Sequence, residues 1–194
     1  MKIADDSDTI KKRLKTYDAS LTGEQLKISK DYSDENRKVL VKRFISEVDV
    51  YVKTQLILEI ADEYVRSMEI ENHSVCQKGC AFCCKIPVSV TAAEAGLIER
   101  HTETKSRKIN VNAPSEYRYE YCPFLNKSEA FCSIYTVRPL SCRSFFTLDH
   151  YNYCEDVETT HLILTTSSSA YLQTLEKNLL ILSNGLKADI KEWF

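Results

Sequence analysis

Glycine and proline are scarce, at four residues each in a chain of 194. That is too few for the dense turns of an all-β sandwich or barrel, and it favours long helices. An excess of charge is missing as well: 26 lysines and arginines stand against 28 aspartates and glutamates, for a net charge of −2. A dominant nucleic-acid-binding surface shows as a basic domain, so no nucleic-acid partner is expected. No run of about 18 apolar residues occurs, which leaves no transmembrane helix. The first residues, Met1 to Asp8, hold no apolar stretch of signal-peptide length. The expectation is a cytoplasmic protein with no membrane partner. The sequence also lacks a Walker loop, a G-x-G-x-x-G turn and an H-E-x-x-H pair. It has no internal repeat and no low-complexity stretch, and catalytic residues stay unassigned.

What is present begins with an ordinary balance, 43% hydrophobic and 28% charged residues. Such a chain is long enough to bury a core without covalent staples. Residues 1–32 are polar, with Asp5, Asp6 and Asp8 followed by Lys11, Lys12, Arg13 and Lys15. They read as a solvated N-terminal segment. Residues 33–194 read as a single helical domain.

Ser33 fits a helix N-cap, with Asp34 and Glu35 in the first turn. From there to about Ile70 no glycine or proline interrupts, and apolar residues recur at Val41, Phe44, Ile45, Val48, Val52, Leu56, Ile60, Tyr64 and Met68. That spacing predicts one long amphipathic helix or two joined ones, roughly 50 Å in all, with the stripe as core. Thr91 and Glu94 form a capping box that starts a helix to about Arg100. Residues 101–121 read as a surface loop with one short strand or turn near Tyr117 to Tyr121. Phe131 to Tyr135 reads as a strand or an irregular turn, and Pro139 as the first turn of a short helix. Apolar residues from Leu162 to Leu182 predict a second long helix over 157–183, closed by Asn184-Gly185. A short amphipathic turn ends the chain. The fold class is therefore mainly α: long helices packed around a cysteine-rich metal-binding insert with little regular structure.

All eight cysteines fall between residues 76 and 154. Cys76-Gln-Lys-Gly-Cys80-Ala-Phe-Cys83-Cys84 places four thiols within nine residues. Cys80 and Cys83 form a C-x2-C pair, and Gly79 can take the positive φ that turns backbone amides towards the sulfurs. Cys122, Cys132, Cys142 and Cys154 follow singly. Eight cysteines in 194 residues lie below the roughly 8–10% of disulfide scaffolds. In a reducing compartment they read as metal ligands before disulfides. The alternative is small buried residues, since free cysteine is often buried. Thiolates suit zinc or an iron–sulfur cluster. Zinc wants four ligands, and six or more candidates exceed that need. A Cys-Pro step, here Cys122-Pro123, also occurs in iron–sulfur proteins. The cofactor expectation stays open between an iron–sulfur cluster, iron and a zinc ion. Arg138 and Arg143, with Lys78 and Lys85, flank the thiols and would offset thiolate charge. Tyr135 reads as core. His73, His101, His150 and His161 show no spacing that makes them partners of a cysteine.

The two blocks together resemble the bacterial YkgJ-like cysteine-cluster family. The matching residues are Cys76, Cys80, Cys83 and Cys84, then Cys122, Pro123 and Leu125, then Cys132, Ile134, Tyr135, Arg138, Pro139, Cys142 and Arg143. The resemblance covers roughly 76–145, and its one departure is the three-residue spacing from Cys76 to Cys80. It implies metal chelation by Cys76, Cys80, Cys83, Cys84, Cys122, Cys132 and Cys142, with Arg138 and Arg143 at the bound group. Larger proteins with such a cluster resemble flagellin lysine methylases, but no separate substrate domain is visible here. Three function classes compete: a metal-binding protein, a metal-dependent or iron–sulfur enzyme acting in protein modification, and a zinc-stabilised module for a protein partner. An incomplete ligand set in each block further predicts that both share one centre.

Overall fold

The computed structural model describes residues 35–70, 74–76, 79–109, 120–155 and 161–194. The expectations for residues 1–32, for Ser33 and Asp34, for His73 and Lys78, for residues 110–119 of the 101–121 loop and for residues 157–160 of the second long helix lie outside these.

The uninterrupted stretch after Ser33 forms two helices, α1 (Glu35–Ser46) and α2 (Val50–Ser67). The break is chemical. The Glu47 carboxylate accepts from the Val48 and Asp49 amides, and Asp49 caps α2 by accepting from Tyr51 and Val52. Acidic side chains here bind backbone amides that a continuous helix would have used, so the chain turns. The stripe loses its phase at that point. Ile45 and Val48 are 72% and 88% exposed, and Val52 is also exposed, contrary to the expected core. From Leu56 onwards the periodicity holds, and Leu56, Ile57, Leu58, Ile60 and Ala61 are buried.

The second long helix is shorter than its apolar pattern suggested. It runs over α5 (Ala170–Leu182), and residues 163–164 instead form strand β5. The Thr165-Thr166-Ser-Ser-Ser169 run explains the late start. Thr165 and Ser168 exchange side-chain and backbone bonds in a 3₁₀ turn, and Ser169 then caps α5. Asn184 and Gly185 close the helix with φ of 50° and 77°, and the Gly185 amide donates to the Leu180 carbonyl.

Between them lie α3 (Ala92–Thr102), with the expected Thr91–Glu94 capping box, and α4 (Leu140–Arg143), capped by Pro139. Three two-stranded antiparallel pairs tie the chain together. β1 (Ser89–Thr91) pairs with β6 (Lys187–Asp189), β2 (Leu125–Asn126) with β3 (Phe131–Cys132), and β4 (Phe146–Thr147) with β5 (Ile163–Leu164). A last turn of helix, α6 (Ile190–Trp193), returns the C-terminus to β1, where the Trp193 indole donates to the Val90 carbonyl. The architecture is mainly α, as expected.

The core has three parts. Ile57, Leu58, Ile60 and Ala61 of α2 pack on Leu172, Leu175 and Leu179 of α5, with Leu97 and Leu140. Val88, Val90, Ala95, Ile98, Phe124, Ile134, Ile190 and Trp193 form a second cluster, and Cys122, Cys132 and Cys142 rest on it. Val65, Met68, Ile70 and Leu148 form the third, beside the β4–β5 pair. Each fully buried leucine or isoleucine contributes roughly 1.5–3 kcal/mol of burial. No helix among the described residues is long and apolar enough to cross a membrane.

Candidate metal centre

The first cysteine block is a tight turn. Gly79 takes φ +90°, and Phe82–Lys85 makes a 3₁₀ turn in which the Cys84 amide donates to the Ala81 carbonyl. This bend keeps the Cys83 and Cys84 thiols close enough to act on each other, although adjacent side chains normally diverge. The second block supplies thiols from three elements. Cys122 precedes β2, Cys132 lies on β3 opposite Leu125, and Cys142 lies on α4.

Backbone and buried polar groups fasten these pieces to each other. The Cys122 amide donates to the Cys84 carbonyl at 2.7 Å, a direct link between the blocks. Lys191, only 4% exposed, donates from Nζ to the Lys85 and Ile86 carbonyls at 3.0 and 3.3 Å. Buried Glu94 accepts from the Leu140 amide at 2.8 Å as well as from the Thr91 amide and hydroxyl, so one carboxylate fixes both α3 and the start of α4. Burial raises the Glu94 pKa against these hydrogen bonds.

The thiols of both blocks form one connected electrostatic group. Cys142 is acted on by Cys83, Cys122 and Cys132, and Cys80 by Cys83 and Cys76. Cys154, which the sequence left outside the motif, joins this group through Cys76, Cys80 and Cys83. Thr147 stands between Cys76 and Cys154: its amide donates to Cys76 Sγ at 3.4 Å, and its hydroxyl lies 3.1 Å from Cys154 Sγ. Burial pushes the Cys122 thiol up to about 11 and raises Cys80, Cys132 and Cys154 as well. Burial and then the neighbouring thiols push Cys142 well up, while the hydrogen bond with Cys84, then desolvation, raises Cys83. All eight cysteines are unbridged, and six are half-buried, Cys76 and Cys83 being exposed. Among the described residues, no three His, Cys, Asp or Glu side chains converge on a single ion position as placed. By its chemistry the donor set nonetheless suits a soft metal, being unbridged cysteine thiols that can each lose a proton to a metal ion.

The flanking cations separate. Arg143 is 5% exposed and turned inward: Nε donates to the Arg138 carbonyl, one terminal nitrogen to the Thr136 carbonyl, and the other pairs with Asp62 of α2. Arg138 stays by the sulfurs and acts on Cys83, Cys132 and Cys142. Lys85 lies over the Tyr121 ring at 4.9 Å. Tyr135 is 59% exposed, not core, and carries the Arg138 guanidinium 4.1 Å from its ring centroid. His161 pairs with Asp149 at 3.1 Å, and His150 accepts the Asn152 amide. The sequence missed Glu94 and Lys191 as supports of the cysteine loops. The capping box pointed to Glu94, but nothing local announced its second bond to Leu140.

Residues 75–161 match the family model CxxCxxCC, described as "Putative zinc- or iron-chelating domain". The match spans less than half of the chain and marks a likeness of this segment to that domain. The match takes in every cysteine of the chain, including Cys154, and it bears out the resemblance drawn from the two cysteine blocks. No curated protein and no solved structure matches the chain. What the match supports is metal binding in general, and all eight unbridged thiols fall within the matched residues.

Proposed function

We propose that this chain holds its metal in one centre built from both cysteine blocks, with Cys76, Cys80, Cys83, Cys84, Cys122, Cys132 and Cys142 as the donor set and Cys154 beside it. The observation that carries this reading is the backbone bond between the blocks, from the Cys122 amide to the Cys84 carbonyl, and the charge on Cys83 of the first block acts on Cys142 of the second. A short loop rarely surrounds an ion by itself, and in this reading each block completes its ligand set with thiols of the other.

A zinc ion and an iron–sulfur cluster are each held by four cysteine thiolates, so the surplus of thiols fits either group and the metal is chosen by the measurement below. A bound metal supplies a Lewis-acid anchor that joins the loops; the chain's own part is to deliver thiolates and exclude water. Metal binding releases the thiol protons, and a structural zinc gives roughly 10–16 kcal/mol in return. That far exceeds the few kcal/mol of ordering the thiols by side-chain rotation and loop closure. Exposed Cys76 and Cys83 are the side chains freest to rotate inward.

The test is anaerobic purification followed by metal analysis and an absorption spectrum. A brown protein absorbing near ~400 nm, with iron and sulfide, supports the cluster. A colourless protein with stoichiometric zinc selects zinc in its place. Serine substitution at Cys83, Cys132 or Cys142 should each lower metal content; unchanged content in all three would overturn the shared centre.

A further inference from the structure

The two arginines of the R-P-x-x-C-R stretch look equivalent in sequence, and the fold makes them different. Arg143 has every side-chain nitrogen engaged, to Arg138, Thr136 and Asp62. It braces the turn against α2. Arg138 is the opposite case. Its Nε is buried and has no hydrogen-bond partner, and no carboxylate pairs with it among the described residues. Its guanidinium is held flat against the exposed Tyr135 ring, which offers stacking but accepts no N–H bond in its plane. Arg143 adds repulsion from behind. A buried guanidinium N–H without an acceptor costs free energy, so the fold keeps it at a loss. Thiols flank it on both sides in the fold, Cys132 on β3 and Cys142 on α4 one turn on, and its charge acts on both and on Cys83.

We propose that Arg138 is a positioning residue of the metal centre, whose Nε–H donates to a metal-bound thiolate of Cys83, Cys132 or Cys142 while Tyr135 holds the guanidinium plane in place. This rests on the metal-binding reading above. A thiolate bound to metal keeps negative charge and accepts N–H bonds, and such outer partners orient the ligand and offset its charge. The planar guanidinium delivers an N–H in a fixed direction, which a lysine ammonium cannot copy.

Cobalt(II) is the probe, titrated anaerobically into the full chain, because thiolate-to-cobalt absorption reports sulfur ligation directly. Arg138→Met should weaken cobalt binding by roughly 10–100-fold and shift the charge-transfer band, as loss of an outer partner does. Without added metal its melting should stay at or above that of the parent, since the Nε makes no hydrogen bond within the protein. Arg138→Lys keeps a cation and should still show the shifted band and most of the affinity loss. Tyr135→Leu should give a smaller loss of the same kind. If Arg138→Met binds cobalt within about twofold of the parent with an unmoved band, Arg138 plays no such part, and the metal reading stands. Should Arg138→Met fail to fold, Arg138→Lys decides: parental affinity and band overturn the hydrogen bond, and a weakened, shifted band supports it. A parent chain that gives no thiolate–cobalt absorption defeats the metal reading and this inference with it.

Discussion

Leu172 and Leu179 of α5 lie wholly buried against α2, a contact made chiefly by apolar side chains with the Tyr64 and Ser169 hydroxyls paired beside it. The cysteine segment is held differently. Cys84 and Cys122 meet through one backbone bond, the first block hangs on Lys191, and the start of α4 hangs on Glu94. The frame is made by hydrophobic burial along helices, whereas the site is made by a few directed polar bonds from residues distant in sequence. Burial tolerates small shifts and is non-directional; a directed bond fixes position but is lost whole when one partner goes. A frame of the first kind can carry loops of the second kind, whose final geometry waits on a ligand.

The largest effect expected separates the two. Leu179→Ala should lose about 2–5 kcal/mol of stability, and the loss should be the same with and without zinc, read by denaturant unfolding. A loss that vanishes on adding zinc would mean that the frame depends on the site. Next, Glu94→Ala strands buried amides of Thr91 and Leu140 and should cost about 2–4 kcal/mol. Unlike Leu179→Ala, it should also lower zinc affinity by roughly 10-fold, because the freed end of α4 carries Cys142. Equal zinc affinity in both variants would show that Glu94 belongs to the frame only.

Much of the frame was legible in the sequence. The glycine- and proline-free stretch gave the helical character of residues 35–67, and Thr91 with Glu94 gave α3. The break at Glu47–Asp49 was not legible from periodicity, because an acidic side chain capturing its own backbone leaves the apolar spacing almost intact. The same holds for Leu162 and Leu164: they fit a helical period, but their partner, the Phe146–Thr147 strand, lies far off in sequence. At the site, the donors were legible as residue types, since cysteines at those spacings have few other uses. Their supports were not. Lys191 reaches back about a hundred positions to Lys85, and no local pattern encodes such a bond. Nor did the sequence separate Arg138 from Arg143, because only the presence of Asp62 on α2 decides which one turns inward.

A third outcome concerns Lys191. Lys191→Met keeps the buried stem but removes the bonds to the Lys85 and Ile86 carbonyls. It should cost about 1–3 kcal/mol, less than the core substitution, and loosen the first block alone. Faster amide exchange over residues 80–86, with α5 unchanged, would be the sign; a uniform loss of protection would place Lys191 in the frame.

The smallest effect is on acid stability, away from the thiols. Burial raises the Asp149 carboxyl, but hydrogen bonds from His161 and from the Leu162 and His150 amides outweigh it and hold the pKa below the usual value. A depressed folded-state pKa means that the unfolded chain binds the proton more readily. The contribution is present above the unfolded value of about 3.9 and is lost as pH falls below it. The stability gap between the parent and Asp149→Asn should therefore narrow below about pH 4. A gap that stays constant down to about pH 2 would contradict the assignment.

The claim that both cysteine blocks serve one centre is tested most directly by zinc protection of individual thiols. The full chain is alkylated anaerobically at rising zinc, and each cysteine is read by mass spectrometry. The account predicts that Cys80 and Cys83 of the first block and Cys122, Cys132 and Cys142 of the second lose reactivity together, along a single titration curve. Protection of the first block at one zinc concentration and of the second at another, or of the first block alone, would contradict it.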